Sequence, residues 1–303
     1  MVVKPNDKIG ILVSLVTCAI FGLYPPASRG AYADGANVTF VLWLTTFFRT
    51  ALLFIFCWYT NKSLFQTKQD RKLALTGGFC QAISVIGIIS ALAFTPGPIV
   101  MIIVFTHTLM LLFFMAWKKE IILDRATVML TLLALIGLGL VLDFWNVQGR
   151  SNWIGFVLAF MAALATLSRL YVYGNQMKTR SPAAVGAESF LVASFLVLFI
   201  AFWQMPVMPA SLAGWGWACL CALSLGTATF GMFYGIALLG SFRWSFFAKV
   251  EPVFTAIFSA LLLNEYLKFY QYMGIVLVLG SLGLYQFLEH RKKQLKPVAL
   301  EIS

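Results

Sequence analysis

The chain has 303 residues, 61% of them hydrophobic and only 11% charged, against about 25% charged in an ordinary soluble protein. A soluble globule of this size cannot hide so much apolar side chain, which excludes a soluble enzyme, a disordered chain and a collagen-like fibre; a coiled coil would need far more Glu, Lys and Arg beside its seam. The net charge of +11 would point to nucleic acid in a soluble protein; here it reads as the basic loops of a polytopic membrane protein, so the partner is the lipid bilayer and no nucleic acid is expected.

A spanning helix needs about 20 mostly apolar residues. Such runs occur at roughly 9–29, 38–59, 73–94, 98–117, 126–143, 152–170, 183–204, 214–239, 244–263 and 270–288. Lys4 and Lys8 precede the first run as they would a signal peptide, but no small-residue cleavage site follows, so it is read as a retained helix. Pro25-Pro26 at its end reads as a turn. The second run carries Arg49 near its middle, roughly 18 Å from one end at 1.5 Å per residue. The third carries Gln81, and Pro96-Gly97-Pro98 turns the chain into the fourth, which holds His107. Gly137/Gly139 in the fifth run and Gly280/Gly283 in the tenth predict close helix contacts. Arg169 closes the sixth run and Glu188 opens the seventh, where both read as interface anchors. Thr227 lies in the eighth on a face with Ser224, Gly231 and Tyr234. The ninth holds Lys249, Glu251-Pro252, Thr255 and Ser259, and a basic tail with His290 follows the tenth. Cys18, Cys57, Cys80, Cys219 and Cys221 sit in apolar stretches without zinc-site spacing and read as small buried hydrophobes.

Basic residues set orientation. With the N-terminus inside, the inner segments hold Lys4, Lys8, Lys62, Lys68, Arg71, Lys72, Lys118, Lys119, Arg125, Lys178, Arg180, Arg243, Arg291, Lys292, Lys293 and Lys296, while the outer loops hold only Arg29, Arg150 and Lys268. Both termini are therefore expected in the cytoplasm.

The two halves resemble each other. Ser90-Ala91-Leu92-Ala93, Phe105-Thr106-His107 and Lys119-Glu120 are followed, 145–146 residues later, by Ile236-Ala237-Leu238-Leu239, Glu251-Pro252-Val253 and Asn264-Glu265. Five spans per half would set the second copy upside down relative to the first, the arrangement from which alternating-access transporters are built. The expected fold is an all-α membrane protein of ten transmembrane helices as two inverted five-helix repeats, over residues 1–146 and 147–290, with a cytoplasmic tail at 291–303.

The stretch KVEPVFTAIFSALLLNEYLKFYQYMGIVLVLGSLGL, Lys249 to Leu284, resembles the second repeat of the drug/metabolite transporter superfamily, of the EamA type. The residues that carry the likeness are Val250-Glu251-Pro252, Asn264-Glu265 and Gly274, Gly280 and Gly283, with Arg49 in FFRTALLF. The resemblance covers about residues 9–288 and implies a ten-helix transporter with cytoplasmic termini, whose relatives move amino acids, other metabolites, nucleotide sugars or cationic drugs. Thr106-His107 replaces the Glu-Pro pair in the first copy, so any role of that pair exists once. The first span offers no carboxylate between Ile9 and Tyr24, which argues against cation–proton exchange of the small multidrug-exporter kind.

A charge within a bilayer normally faces protein or water and is a candidate site. Arg49 is either a clamp for a substrate carboxylate or a strut to backbone carbonyls. Glu251, with Thr255 and Ser259 spaced along one helical face, is either a partner for a substrate amine and a proton carrier, or an acid satisfied by a neighbouring helix. His107 is either a proton-exchanging group or hydrogen-bonded packing. Lys249 points the other way and is expected to snorkel to the interface. Gln81 and Thr227, 146 apart, and Tyr234 are expected to line the cavity. The substrate-binding set is thus Arg49, Gln81, His107, Thr227, Tyr234, Glu251 and Thr255. No metal, cofactor or catalytic group is expected, because neither a HExxH nor a GxSxG pattern occurs. The expected function is secondary transport of a small organic metabolite, best an amino acid or related carboxylate, across the inner membrane by a monomer or weak dimer, with protons as a coupling ion. The alternatives are cationic-drug efflux, a passive channel or an intramembrane enzyme.

Overall fold

In the computed structural model, residues 6–146, 151–199 and 204–300 are described, with side chains through Arg291; the basic side chains of Lys4, Arg150, Lys292, Lys293 and Lys296 lie outside them. The first traverse starts where the Asn6 side chain accepts a hydrogen bond from Ile9 N at 3.2 Å, satisfying one of the four orphan donors at a helix start. It comprises α1 (Asp7–Gly22) and α2 (Tyr24–Ala33), offset at Leu23. Pro25-Pro26 is not the expected turn: the pair occupies the first turn of α2, where a missing N–H removes no ladder bond. There follow α3 (Val38–Tyr59), α4 (Lys68–Leu92), α5 (Gly97–Phe105), α6 (His107–Trp117), α7 (Arg125–Val141), α8 (Trp153–Gln176), α9 (Pro182–Leu198), α10 (Leu212–Leu239), α11 (Ser241–Phe247), a 3-10 turn at Ala248–Val250, α12 (Glu251–Leu263) and α13 (Phe269–Leu300). No strand occurs among the described residues.

Eight traverses are long and apolar enough to cross a bilayer: α1–α2, α3, α4, α5–α6, α8, α10, α11–α12 and α13. The other two, α7 and α9, are 17-residue apolar helices, near the lower limit for spanning. Together they make an all-α membrane fold. Outward surfaces carry large apolar side chains such as Leu12, Trp58, Met129 and Val276, each more than half exposed, as lipid contact requires.

Helix pairing sets the interior: α4 lies along α8, α7 along α13, and α1 along α10. One apolar cluster gathers Leu53, Tyr173, Phe190, Phe233 and Trp244; a second gathers Leu112, Phe246, Val253 and Tyr285. Between lipids and apolar side chains there is little hydrophobic drive for helices to associate, so close backbone approach matters. Of the predicted glycine contacts, Gly137 meets the backbone of Gly274, and a Cβ on Gly274 would come 2.6 Å from the Gly137 carbonyl. Gly139 makes only ordinary contact, and Gly280 and Gly283 face open space, so the tenth traverse touches α7 through Gly274 rather than through the expected pair.

Candidate functional site

Besides the first traverse, offset at Leu23, two traverses are interrupted midway, at corresponding places in the two halves. In the fourth, α5 stops at Phe105 and α6 begins at His107. The Thr106 hydroxyl donates to Ile103 O at 2.6 Å and His107 Nδ1 lies 2.7 Å from Val104 O, so side chains compete for carbonyls the ladder would use. A carbonyl only accepts, which puts a ring hydrogen on Nδ1 and makes Nε2 the acceptor whenever the ring is neutral. In the ninth, Pro252 has no N–H to donate, and the chain tightens into the 3-10 turn in which Glu251 N bonds Ala248 O. An offset of 145 maps Thr106 onto Glu251, and it also maps Lys119 (φ 59°) onto Asn264 (φ 55°). The left-handed residue before the glutamate recurs in both halves.

The carbonyls loosened at the second interruption are taken by other helices: Thr108 Oγ1 donates to Ser245 O at 3.3 Å and Cys18 Sγ to Phe247 O at 3.7 Å. The first of these ties α6 directly to α11. Non-helical backbone at membrane depth persists where protein groups satisfy it in this way.

Around the interruptions lie five buried or half-buried basic or titratable groups. Arg49, on α3, is 8% exposed; its Nε donates to Thr45 O at 3.1 Å, its Nη2 to Thr46 Oγ1 at 3.2 Å, and its guanidinium stands 5.0 Å from the Phe190 ring centroid. Arg169, on α8, donates from Nη1 to Gln81 Oε1 of α4 at 2.8 Å, while its Nε is buried without a partner. Its charge acts on Arg49, His107 and Glu251. Lys249, in the 3-10 turn, acts electrostatically on His107. Its Nζ has no hydrogen-bond partner and lies 5.3 Å from the Phe246 ring. His107 is 5% exposed and Gln81 also 5%. Glu251, half-buried at the first position of α12, sits within the field of Arg169; its own carbonyl accepts from the half-buried Thr255 hydroxyl at 3.1 Å.

Three sequence-based assignments are corrected. Arg169 is not an interface anchor: α8 continues to Gln176, so the guanidinium lies roughly 10 Å inside the helix end. Glu188 is fully buried rather than interfacial; its Oε1 is 2.6 Å from Arg180 Nη2 and 2.6 Å from Phe65 N. Lys249 does not snorkel, being 0% exposed. The structure thus gathers Arg49, Gln81, His107 and Glu251 around Arg169, which sequence reasoning passed over. Thr227 and Tyr234 stand apart. The Thr227 hydroxyl is satisfied by Leu223 O at 2.7 Å and the residue is exposed beside the exposed Leu223, while half-buried Tyr234 stacks on Phe230 at 4.9 Å. No group of three His, Cys, Asp or Glu residues able to hold a metal occurs among the described residues.

This arrangement can hold an anion by the guanidinium groups of Arg49 and Arg169 and pass a proton to or from a carboxylate, an imidazole or an amine. A family model described as the EamA-like transporter family matches the chain twice, over residues 8–143 and 152–286. An uncharacterized transporter of Synechocystis sp. (strain ATCC 27184 / PCC 6803 / Kazusa) is 26% identical over 167 residues. That match covers 52% of this chain and 51% of the relative, so the chain matches only about half the relative's length. A solved crystal structure shares the fold with a TM-score of 0.77 at 16% identity, over 92% of this chain and 98% of that one.

Proposed function

Because the chain belongs to the EamA-like transporter family, we propose that it is a secondary transporter which carries a small carboxylate-bearing metabolite, an amino acid or close relative, by alternating access. The observation that carries this reading is the meeting of two interrupted helices, one from each half, beside the Arg169–Gln81 hydrogen bond. Interrupted helices in corresponding positions are where such transporters bind cargo, because freed backbone groups and half-helix ends face the ligand. In this reading Arg169 and Arg49 receive the carboxylate, Glu251 faces the amine, and Glu251 or His107 carries a coupling proton. Cationic-drug efflux is disfavoured, since buried cations outnumber acids at the interruptions. A passive channel would not need matched interruptions in both halves.

The protein is proposed to lie in the inner (plasma) membrane with both termini cytoplasmic, the orientation that puts most loop lysines and arginines inside. Within each transport cycle the cargo would fill the site, and the two halves would then exchange which side is open. Reconstituted into proteoliposomes, Glu251→Gln and His107→Ala are each expected to slow uptake by about tenfold or more, the scale of losing a hydrogen bond to a charged group, with unchanged elution on gel filtration. Full activity in both variants overturns the assignment. An imposed pH gradient is expected to drive uptake; a flat response removes proton coupling.

A further inference from the structure

We propose that the cargo carries two carboxylates, as a dicarboxylate or an acidic amino acid does, and that Lys249 receives the second; this rests on the anion-transport reading above. The first ground is the charge inventory at mid-membrane. Arg49 and Arg169 bring two guanidinium groups and Lys249 a third basic group, and the acid set against them is Glu251, whose charge acts on Arg169. Glu188, the other buried acid, is already held by Arg180 and by Phe65 N. With Lys249 protonated, the three basic groups exceed the one acid by two charges, which a dicarboxylate cancels and an acidic amino acid, whose own ammonium offsets one carboxylate, halves; a cargo with one carboxylate leaves more positive charge in the water-poor interior. Buried charges are otherwise paired or coordinated.

The second ground is geometric and independent of the count. Lys249 Nζ is 0% exposed and has neither hydrogen-bond partner nor carboxylate within ion-pair distance among the described residues. It is not stranded at random: it belongs to the 3-10 turn of the interrupted ninth traverse, acts on His107 of the other interrupted helix, and rests against Phe246. Arg169 Nε is likewise buried without an acceptor. Two unmatched donors on two helices, α8 and the turn before α12, with Gln81 held beside one of them, fit a ligand with an acidic group at each end. The ammonium of an acidic amino acid would face Glu251, whose carboxylate makes no hydrogen bond or ion pair to the described residues.

The test follows thermal unfolding of the purified full-length protein against matched acids at constant ionic strength: succinate and glutamate, with butyrate and alanine as their one-carboxylate counterparts. A ligand that binds the folded state raises its stability with concentration. Succinate or glutamate is expected to give the same upward shift at a concentration about tenfold or more below that of its counterpart, as a second charge-assisted contact implies. The Lys249→Met variant is expected to respond to each pair alike. Equal responses in the wild-type protein overturn the two-carboxylate proposal while leaving carboxylate transport standing. No response to any of the four acids overturns both. If the variant does not fold, the wild-type comparison alone decides, and a variant that keeps the twofold-charged preference removes Lys249 from the site.

Discussion

Glu188 and Lys249 are both fully buried charged residues, but only Glu188 has partners. Removing one member of a buried ion pair strands the other, at a cost of about 3–5 kcal/mol. Glu188→Ala is therefore expected to lower stability by about that amount in detergent, read from the denaturation midpoint, because it strands Arg180, only 14% exposed at its side chain, and the Phe65 N–H. A loss under about 1 kcal/mol would mean that Asp70, whose Oδ1 is 3.3 Å from Arg180 Nε, holds the guanidinium unaided. At this scale the sequence was partly legible. Arg49, Gln81, His107 and Glu251 stood out because each is a polar residue in the middle of an apolar run. Arg169 was hidden because Tyr171, Tyr173, Asn175 and Gln176 make the last turns of α8 polar, so hydropathy ends the span too early. Lys249 was misread because the direction of its side chain follows from a 3-10 turn that a uniform helical period does not contain.

Among the elements, the positions and order of the traverses were readable, since apolar length is dictated by the bilayer; α3 was expected at 38–59 and runs Val38–Tyr59, whereas α8 was expected to end at 170 and runs to Gln176. What remained hidden were breaks inside traverses and the partners each helix chooses. The break before Glu251 has a visible cause in Pro252, whereas the one at Thr106 has none in composition and arises from two side chains taking backbone carbonyls. Glycine spacing gave one correct contact and two empty ones, because spacing says which side is small but not what faces it. The distinction is measurable. Gly274→Ala forces a Cβ to within 2.6 Å of the Gly137 carbonyl and is expected to destabilise by about 1–3 kcal/mol, the range for overpacking. Gly280→Ala meets nothing within 4 Å and is expected to be neutral or to gain up to about 1 kcal/mol from helix propensity. Equal effects of the two on the unfolding midpoint would remove the α7–α13 contact as a packing determinant.

For the whole molecule, alternating access requires that contacts closing one face break when it opens. On the face away from the N-terminus, links cross between the two regions that the family model matches, and in the proposed cycle they would break when that face opens. Asp34, just after α2, accepts from Ser211 N and Ser211 Oγ, both at 2.7 Å, and Asn37 clasps Met205 O and Val207 N. Lys268 reaches Asp143 at 2.8 Å, and Arg29 reaches Glu265 at 2.6 Å. The two hydrogen bonds from Ser211, backbone first and hydroxyl second, hold the Asp34 carboxyl below its ordinary value of 3.8. In an open state without these donors, Asp34 would return to that value. The closed face therefore binds fewer protons at Asp34 than the open one, and this contribution to closure is complete above the ordinary value and vanishes as pH falls through the lowered one. In a cysteine-free background with spin labels at Ala33 and Leu212, the separation is expected to lengthen as pH drops from about 6 to about 3. Asp34→Ala is expected to show the longer separation already at neutral pH and to change little on acidification. Asp143 and Glu265 lie on the same face, paired with Lys268 and Arg29, so the variant separates their contribution from that of Asp34. A variant that still lengthens with acid as the wild type does would remove Asp34 from the latch.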